Sequence, residues 1–325
     1  MPKALQCIEF GPPEKLSLAE VPPLPLGAGE VRIAVKAAAL NFADTLIIEG
    51  KYQEKPPFPF VPGMECAGII TERGEGVRHL AVGQRVMALS AKGAFREETV
   101  VEAGAVLPIP DGMDFATAAG FPVAYGTSHL ALTDRARLQA GETLLVLGAS
   151  GGVGLTAVEI GKALGARVIA AASSPEKLDV ARAHGADEGI DYSAEDLKGR
   201  LKELAPKGVD VVFDPVGGDY FDAALRNIAW CGRIITIGYA AGRIPQVPAN
   251  LLLVKNCAVL GLFWGAYRKH DPRRLGQSLG ELLNLWSQGK LRPHVSHALP
   301  LSDHARAFGL LSGRQATGKV VLTIG

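Results

Sequence analysis

The chain has 325 residues, 48% of them hydrophobic, and 34 Lys and Arg stand against 33 Asp and Glu for a formal charge of +1. That length allows two domains and a sizeable core, and the composition is that of an ordinary soluble globular protein. No basic run marks a nucleic-acid or membrane surface, and neither a signal core in MPKALQCIEF nor a bilayer-spanning apolar run is present.

In chain order, the first third reads as β structure. Short strand-like runs cover 31–39, 67–73, 84–89 and 97–101, separated by Gly- and Pro-rich turns such as PPLPLGAG and PPFPFVPG. Strands of this length with frequent turns predict a partly open barrel.

From about residue 124 strands and helices alternate. Strands are predicted at 143–148, 166–172, 187–191, 209–214, 232–237 and 257–262, with helices at 151–164, 175–184, 195–205, 218–228 and 248–255. The fold class is therefore α/β, with a six-stranded parallel sheet covered by helices on both faces. The cores LLVL, VDVVF and RIITI are apolar throughout, as doubly covered strands should be.

After about residue 264 the alternation stops. A helix near 272–288 carries Leu275, Leu279, Leu282, Leu283 and Trp286 at amphipathic spacing, a second helix lies near 302–312, and KVVLT closes the chain as a strand. The tail is too short for its own domain. The expected division is thus a barrel domain of 1–123 completed by 264–325, with a nucleotide domain of 124–263 inserted in it.

The segment LLVLGASGGVGLTAVEIGKALGARVIAAASS reads as strand, glycine turn, helix, strand. Ala149, Gly151 and Gly154 occupy the three positions of the G-x-G-x-x-G fingerprint, with Ser150, Gly152 and Val153 completing the turn and the helix start. Gly151 lets the backbone approach a pyrophosphate, Gly154 lets the helix lie close to the strand, and the helix N-terminus offers free N–H groups to the phosphates. Such units usually end the second strand in Asp or Glu, which bonds the 2′-OH of NAD(H) and repels a 2′-phosphate. Here Ser173 and Ser174 stand there instead, Lys177 follows, and Tyr192 comes after the third strand. A hydroxyl and an ammonium favour NADPH, since one charge-assisted contact of roughly 1.5–3 kcal/mol changes affinity about ten- to a hundredfold.

With AALNFADTLIIEGKY, PFVPGMECAG, LVLGASGGVG and the terminal TGKVVL, the chain resembles the medium-chain dehydrogenase/reductase superfamily over essentially its whole length. Within it the chain is similar to the zinc-independent quinone oxidoreductases, the zeta-crystallin-like group, and GKYQEKPPFPF, PVAYGT, NIAWCGRI and NLLLVKN…GLFWG point to the quinone oxidoreductase-like subgroup. The resemblance implies a GroES-like barrel domain and a Rossmann domain. Zinc alcohol dehydrogenases hold their metal with a Cys in the first barrel segment and a His before a Glu. This chain reads Asn41-Phe42-Ala43-Asp44 and Gly63-Met64-Glu65 there, and an aromatic ring and a thioether do not replace a thiolate and an imidazole. Metal-free alcohol oxidation is disfavoured, whereas quinones and conjugated carbonyls accept hydride without a Lewis acid.

Ligands in doubly wound sheets lie beyond the C-terminal strand ends, which directs attention to Val216, Gly238, Tyr239, Phe263 and Trp264. The resemblance places Asn41, Asp44, Tyr52 and Thr127 around the nicotinamide, with Asn41, Asp44 and Tyr52 as the catalytic candidates, and Lys319 of TGKVVL is expected among the cofactor-binding residues. Relatives often carry a Tyr shortly after NF-x-D, where this chain has Leu46. His294 and His297 sit at HxxH spacing in a strand-like segment and are assigned no metal. The four scattered cysteines fit free buried thiols in a cytoplasmic setting.

The expected activity is NADPH-dependent, zinc-independent reduction of quinones or related conjugated carbonyls, by hydride transfer or by the single-electron transfer that some members of the resembled family carry out. Two other readings are an enoyl-type reductase of acrylyl-CoA or 2-alkenals, with Arg268, Lys269, Arg273 and Arg274 meeting the CoA phosphates, and a non-catalytic nucleotide- or RNA-binding protein, against which the near-neutral charge argues. The run CAVLGLF reads as an exposed edge strand. The resemblance pairs that strand across a two-fold axis, which implies a homodimer.

Overall fold

The computed structural model describes residues 1–325. They form two compact units, Met1–Val123 with His294–Gly325, and Ala124–Pro293.

The first unit opens with β1 (Lys3–Gln6), β2 (Ser17–Glu20), β3 (Glu30–Ala39), β4 (Glu65–Arg73), β5 (Arg85–Leu89), β6 (Glu98–Glu102) and β7 (Val106–Pro108). Strand β3 organises it. Val31, Ile33 and Val35 point inward at period two and are buried, while Arg32 turns outward to Glu98 and Glu72. Antiparallel pairing to both β4 and β6 bends β3 into a barrel-like wall around Leu5, Ile70, Val86, Phe95 and Phe308.

The second unit carries β8 (Thr143–Leu147), β9 (Arg167–Ala172), β10 (Glu188–Asp191), β11 (Val209–Asp214), β12 (Ile228–Thr236) and β13 (Ala258–Gly261). They lie side by side in the order β10-β9-β8-β11-β12-β13, every pair parallel. Leu144, Leu145, Val146 and Leu147 are all fully buried, because helices cover the sheet above and below. The chain winds outward from β8 in one direction, then restarts at β11 in the other. The crevice between the ends of β8 and β11 is therefore the switch point at which such sheets bind ligands.

The chain then returns to the first unit. Strand β14 (Val295–Pro300) pairs parallel with β15 (Lys319–Thr323), and β15 pairs antiparallel with β3, Val321 opposite Ala39. His294 precedes β14 and His297 lies within it opposite Val320, and their rings meet the hydroxyls of Thr317 and Ser296 at 3.1 and 2.9 Å.

The expected domain boundary needs one correction. Residues 264–293 belong to the second unit, not to the barrel. Helix Pro272–Ser287 buries Leu275, Leu279 and Leu282. Its Ser278 hydroxyl meets Nδ1 of His129 at 2.8 Å, and Arg274 donates to Asp134 at 2.9 Å. Amphipathic spacing shows that a helix has a face to bury, but only its partners decide where.

Several elements differ from expectation. Strand β12 starts at Ile228, four residues before the expected 232, because a bulge with Cys231 at φ 61° interrupts its pairing with β11. The short strands β1, β2 and β7 and helix Phe121–Leu130 carry too little periodicity to be predicted, β14 falls on the strand-like segment of His297, and helix Phe42–Ile48 is an element that apolar periodicity does not mark. Of the four thiols expected to be buried, Cys7 and Cys66 are, Cys257 is half-buried and Cys231 is exposed. Burial and the neighbouring Glu65 push the Cys66 thiol up to about 12, so it stays protonated. No helix is long and apolar enough to cross a membrane.

Candidate functional site

In the second unit the glycine turn follows β8 directly. Gly148 has φ 60° and lies against Val216, whose Cγ2 is 3.1 Å from the place a Cβ would take. A Cβ on Gly154 would stand 2.1 Å from the Gly148 carbonyl, so only glycine fits between helix and turn. Gly151 is different: a Cβ there would meet nothing closer than the Gly148 oxygen at 3.4 Å. The protein does not itself require glycine at that point, but a phosphate closing on the turn would. Helix Gly152–Ala163 starts at Gly151 with no side-chain cap and no acid in its first turn, which leaves its N-terminal N–H groups to an anion. Ala149 is fully buried, and Ser150 nearly so.

The C-terminal ends of β9 and β10 gather the residues expected around a 2′-phosphate. Ser174 caps helix Pro175–Ala183, its hydroxyl accepting from the Lys177 N–H at 3.4 Å. The Lys177 ammonium donates to the Ser173 hydroxyl at 2.9 Å. Tyr192 follows β10, its N–H bonds the Ala172 carbonyl at 3.0 Å, and its ring packs against Tyr220 with centroids 4.4 Å apart. Sequence reasoning missed Glu176. Its carboxylate takes a hydrogen bond from the Ser174 hydroxyl, which holds its pKa below the usual range, so a phosphate would compete with it for that hydroxyl.

The loop after β11 is set by Asp214, whose Oδ1 accepts the N–H groups of Val216 and Gly217, each at 2.8 Å. The carboxyl is fully buried, and burial pushes its pKa up to about 6 against the two bonds that lower it. Gly217 and Gly218 take φ 70° and 61°, as a tight turn over the strand ends requires. Ala240 and Ala241 donate back to Pro215 and Val216 at 3.1 and 2.9 Å, which brings Gly238 and Tyr239 against this loop. Further along, the Trp264 indole lies flat on Gly126, where a Cβ would be 2.7 Å from the ring, next to the buried Thr127. Trp264 Nε1 has no protein partner, and Phe263 beside it is 43% exposed.

The first unit holds a second constellation. Asn41 caps helix Phe42–Ile48, and its backbone N–H donates to Asp44 Oδ2 at 2.8 Å. Its amide donates to Glu65 Oε1 at 3.0 Å, and its oxygen accepts from the Lys319 ammonium at 2.7 Å. Lys319 also donates to Glu65 at 2.9 Å and to the Leu40 carbonyl at 2.8 Å, while Glu65 Oε2 accepts the Val123 N–H at 2.8 Å. Lys319, expected to bind cofactor, is therefore reassigned: all three ammonium donors are used inside this unit, and the residue is buried. Asp44, expected to act on substrate, is fully buried as well and holds Asn41 in place instead. Burial pushes its carboxyl up to about 7. Tyr52 lies near enough for Glu54 and Asp44 to join burial in raising its phenol above the ordinary value, which makes it a weaker proton donor.

The alcohol dehydrogenase GroES-like domain family matches residues 27–111, and the zinc-binding dehydrogenase family matches 152–279. The quinone oxidoreductase-like protein 2 homolog of Nematostella vectensis is 42% identical over 328 residues, 98% of this chain and 88% of that protein. This chain belongs to the quinone oxidoreductase family. Structures of family members agree. The Pseudomonas syringae quinone oxidoreductase superposes with TM-score 0.92 at 34% identity, covering 99% of this chain and 100% of that one. The Escherichia coli quinone oxidoreductase, complexed with NADPH, superposes with TM-score 0.90 at 30% identity, covering 99% of each. In this family member the GroES-like unit is the one built on β3 and the Rossmann unit is the one built on β8.

Zinc, which one matching family carries in its description, does not fit the residues present. Asn41 is bonded to Lys319 and Glu65, Glu65 is neutralised by Lys319, and Phe42 and Met64 offer a ring and a thioether. No group of three or more His, Cys, Asp or Glu side chains comes together.

Proposed function

We propose that the protein is an NADPH-dependent, zinc-independent reductase of quinones or related conjugated carbonyls. The observation that carries this reading is the gathering of Ser173, Ser174, Lys177 and Tyr192 beside the uncapped glycine-turn helix, with hydroxyls and an ammonium where an NAD(H) site would present a carboxylate. When bound, the cofactor supplies a hydride. The chain's own residues bind and orient it. N–H groups of the glycine turn hold the pyrophosphate, and Lys177 with Ser174 holds the 2′-phosphate. The Asp214 loop fixes Val216, Gly238 and Tyr239 at the strand ends, and Thr127, Phe263 and Trp264 complete this surface. Asn41 is held rigid by Lys319 and Glu65 and presents its amide to a carbonyl oxygen. A proton from water or from Tyr52 completes the reduction, so hydride and proton together convert the acceptor to its reduced form.

The deciding experiment is NADPH oxidation at 340 nm with 1,2-naphthoquinone and with crotonyl-CoA. Turnover of the quinone alone supports the reading. Turnover of the thioester alone replaces it with the enoyl-type reaction, and salt-dependent RNA retention without oxidation replaces it with a binding protein. The thioester reading has lost one of its four cations, since Arg274 is bound to Asp134 and Glu281. Lys177→Ala is expected to raise the KM for NADPH about tenfold and to leave that for NADH within about twofold. Equal loss for both cofactors would refute the role of Lys177.

We also propose a homodimer. Strand β13 has a neighbour on one side only, and Trp230 of its partner strand β12 and Leu253 and Val254 of the preceding helix Ala249–Lys255 are 68%, 80% and 63% exposed. An unpaired edge flanked by apolar side chains is stabilised by pairing with a second copy. Light scattering at micromolar concentration is expected to give a dimer for the wild type and a monomer for Trp230→Glu/Leu253→Glu. A wild-type monomer would end this proposal.

A further inference from the structure

The helix that begins at the glycine turn carries a buried carboxylate two turns in. Glu159 is 3% exposed and is the only charged residue among the buried positions of helix Gly152–Ala163. Its Oε2 accepts the Tyr125 hydroxyl at 2.5 Å, and its Oε1 lies 2.5 Å from Nδ1 of His184. The backbone N–H of Arg292 reaches both oxygens, at 3.1 and 3.2 Å. His184 is the C-cap of helix Pro175–Ala183, and the Arg292 guanidinium donates to the Ala183 carbonyl at 2.7 Å. One carboxylate thus joins the helices that follow β8 and β9. Their N-termini are the glycine turn on one and the Ser174 cap with Lys177 on the other.

An apolar side chain at 159 would avoid the desolvation cost of a buried charge. What the carboxylate adds is direction. Its bonds fix one helix against the other at a set distance and rotation, whereas apolar contacts tolerate sliding. A charge-assisted hydrogen bond to a phosphate is sensitive to that placement. The pyrophosphate needs only the glycine turn, but a 2′-phosphate needs both helix ends in register.

We propose that Glu159 is a positioning residue for cofactor discrimination, setting through His184 and Arg292 the spacing between the pyrophosphate and 2′-phosphate sites. The inference rests on the reading of Ser174 and Lys177 as the 2′-phosphate site.

Calorimetric titration of the intact protein with 5′-AMP and with adenosine 2′,5′-bisphosphate separates the two. The wild type is expected to bind the bisphosphate about tenfold more tightly. In His184→Ala that preference is expected to fall to about threefold or less, with the Kd for 5′-AMP within about twofold of wild type. His184→Asn, whose amide N–H stands near the position of Nδ1, is expected to restore it. His184 lies at the rim of the cluster, so its variants remain informative if Glu159→Gln fails to fold. An unchanged preference in folded His184→Ala, or equal loss for both nucleotides, overturns the proposal. A wild type without preference overturns the cofactor reading beneath it.

Discussion

Lys319→Met is expected to destabilise the GroES-like unit by roughly 3–5 kcal/mol, seen as a fall of roughly 10 °C in its unfolding transition. The variant keeps most of the unbranched side chain and removes the ammonium, with its charge and its three hydrogen bonds. Glu65, with 0% exposure, would then keep the Asn41 amide and the Val123 N–H but lose its only cation. A carboxylate left in that state must either be ionised without compensation or take up a proton, and both cost stability. The Leu40 carbonyl and the Asn41 oxygen lose their donor as well. Glu65→Gln in the same background should recover part of the loss, since the remaining amide carries no charge, and the departure from additivity measures the pair. A Lys319→Met protein within about 1 kcal/mol of wild type would mean the pair is hydrated, at the level of an exposed ion pair.

This cluster also marks where sequence reading stops. The glycine turn was legible because its parts are local: an apolar strand, three small residues at fixed spacing and a helix start, all between 143 and 163. The Ser174 cap and Lys177 lie in the same short stretch, and the parallel strands stand out because their cores are apolar throughout. Lys319 was misassigned because its partners Asn41 and Glu65 lie 278 and 254 residues away, and a terminal lysine in sequence has no visible counter-ion. Residues 264–293 were misplaced for the same reason, since the bond of Ser278 to His129 spans 149 residues. One signal was available and unused: Asn41-x-x-Asp44 is a helix-capping pattern that predicts helix Phe42–Ile48 and a structural duty for Asp44. Motif resemblance drew attention to the same letters as chemistry and hid the capping role.

Asp44→Asn tests that duty, and pH gives the test its sign. Burial raises the Asp44 carboxyl to about 7 from an ordinary 3.8, against the lowering effects of the Asn41 N–H and the Lys319 charge. The folded state therefore holds this proton more tightly than the unfolded chain does. The stabilisation from the protonated carboxyl is complete below about pH 4, declines as pH rises and is gone above about pH 7. About three units of difference correspond to about 4 kcal/mol across that window. Asparagine does not titrate and keeps an oxygen for the Asn41 N–H. The advantage of Asp44→Asn over wild type should thus grow by a few kcal/mol between pH 5 and pH 8, read as a widening gap between their unfolding temperatures. A constant gap would show that Asp44 does not titrate in this range. The pH profile of quinone reduction separates holding from reacting. With Asp44 at 0% exposure and its carboxyl engaged by the Asn41 N–H, the proposed mechanism gives it no proton to transfer, so the profile should keep its shape in the variant. Loss of a limb near pH 7 would instead return Asp44 to proton transfer.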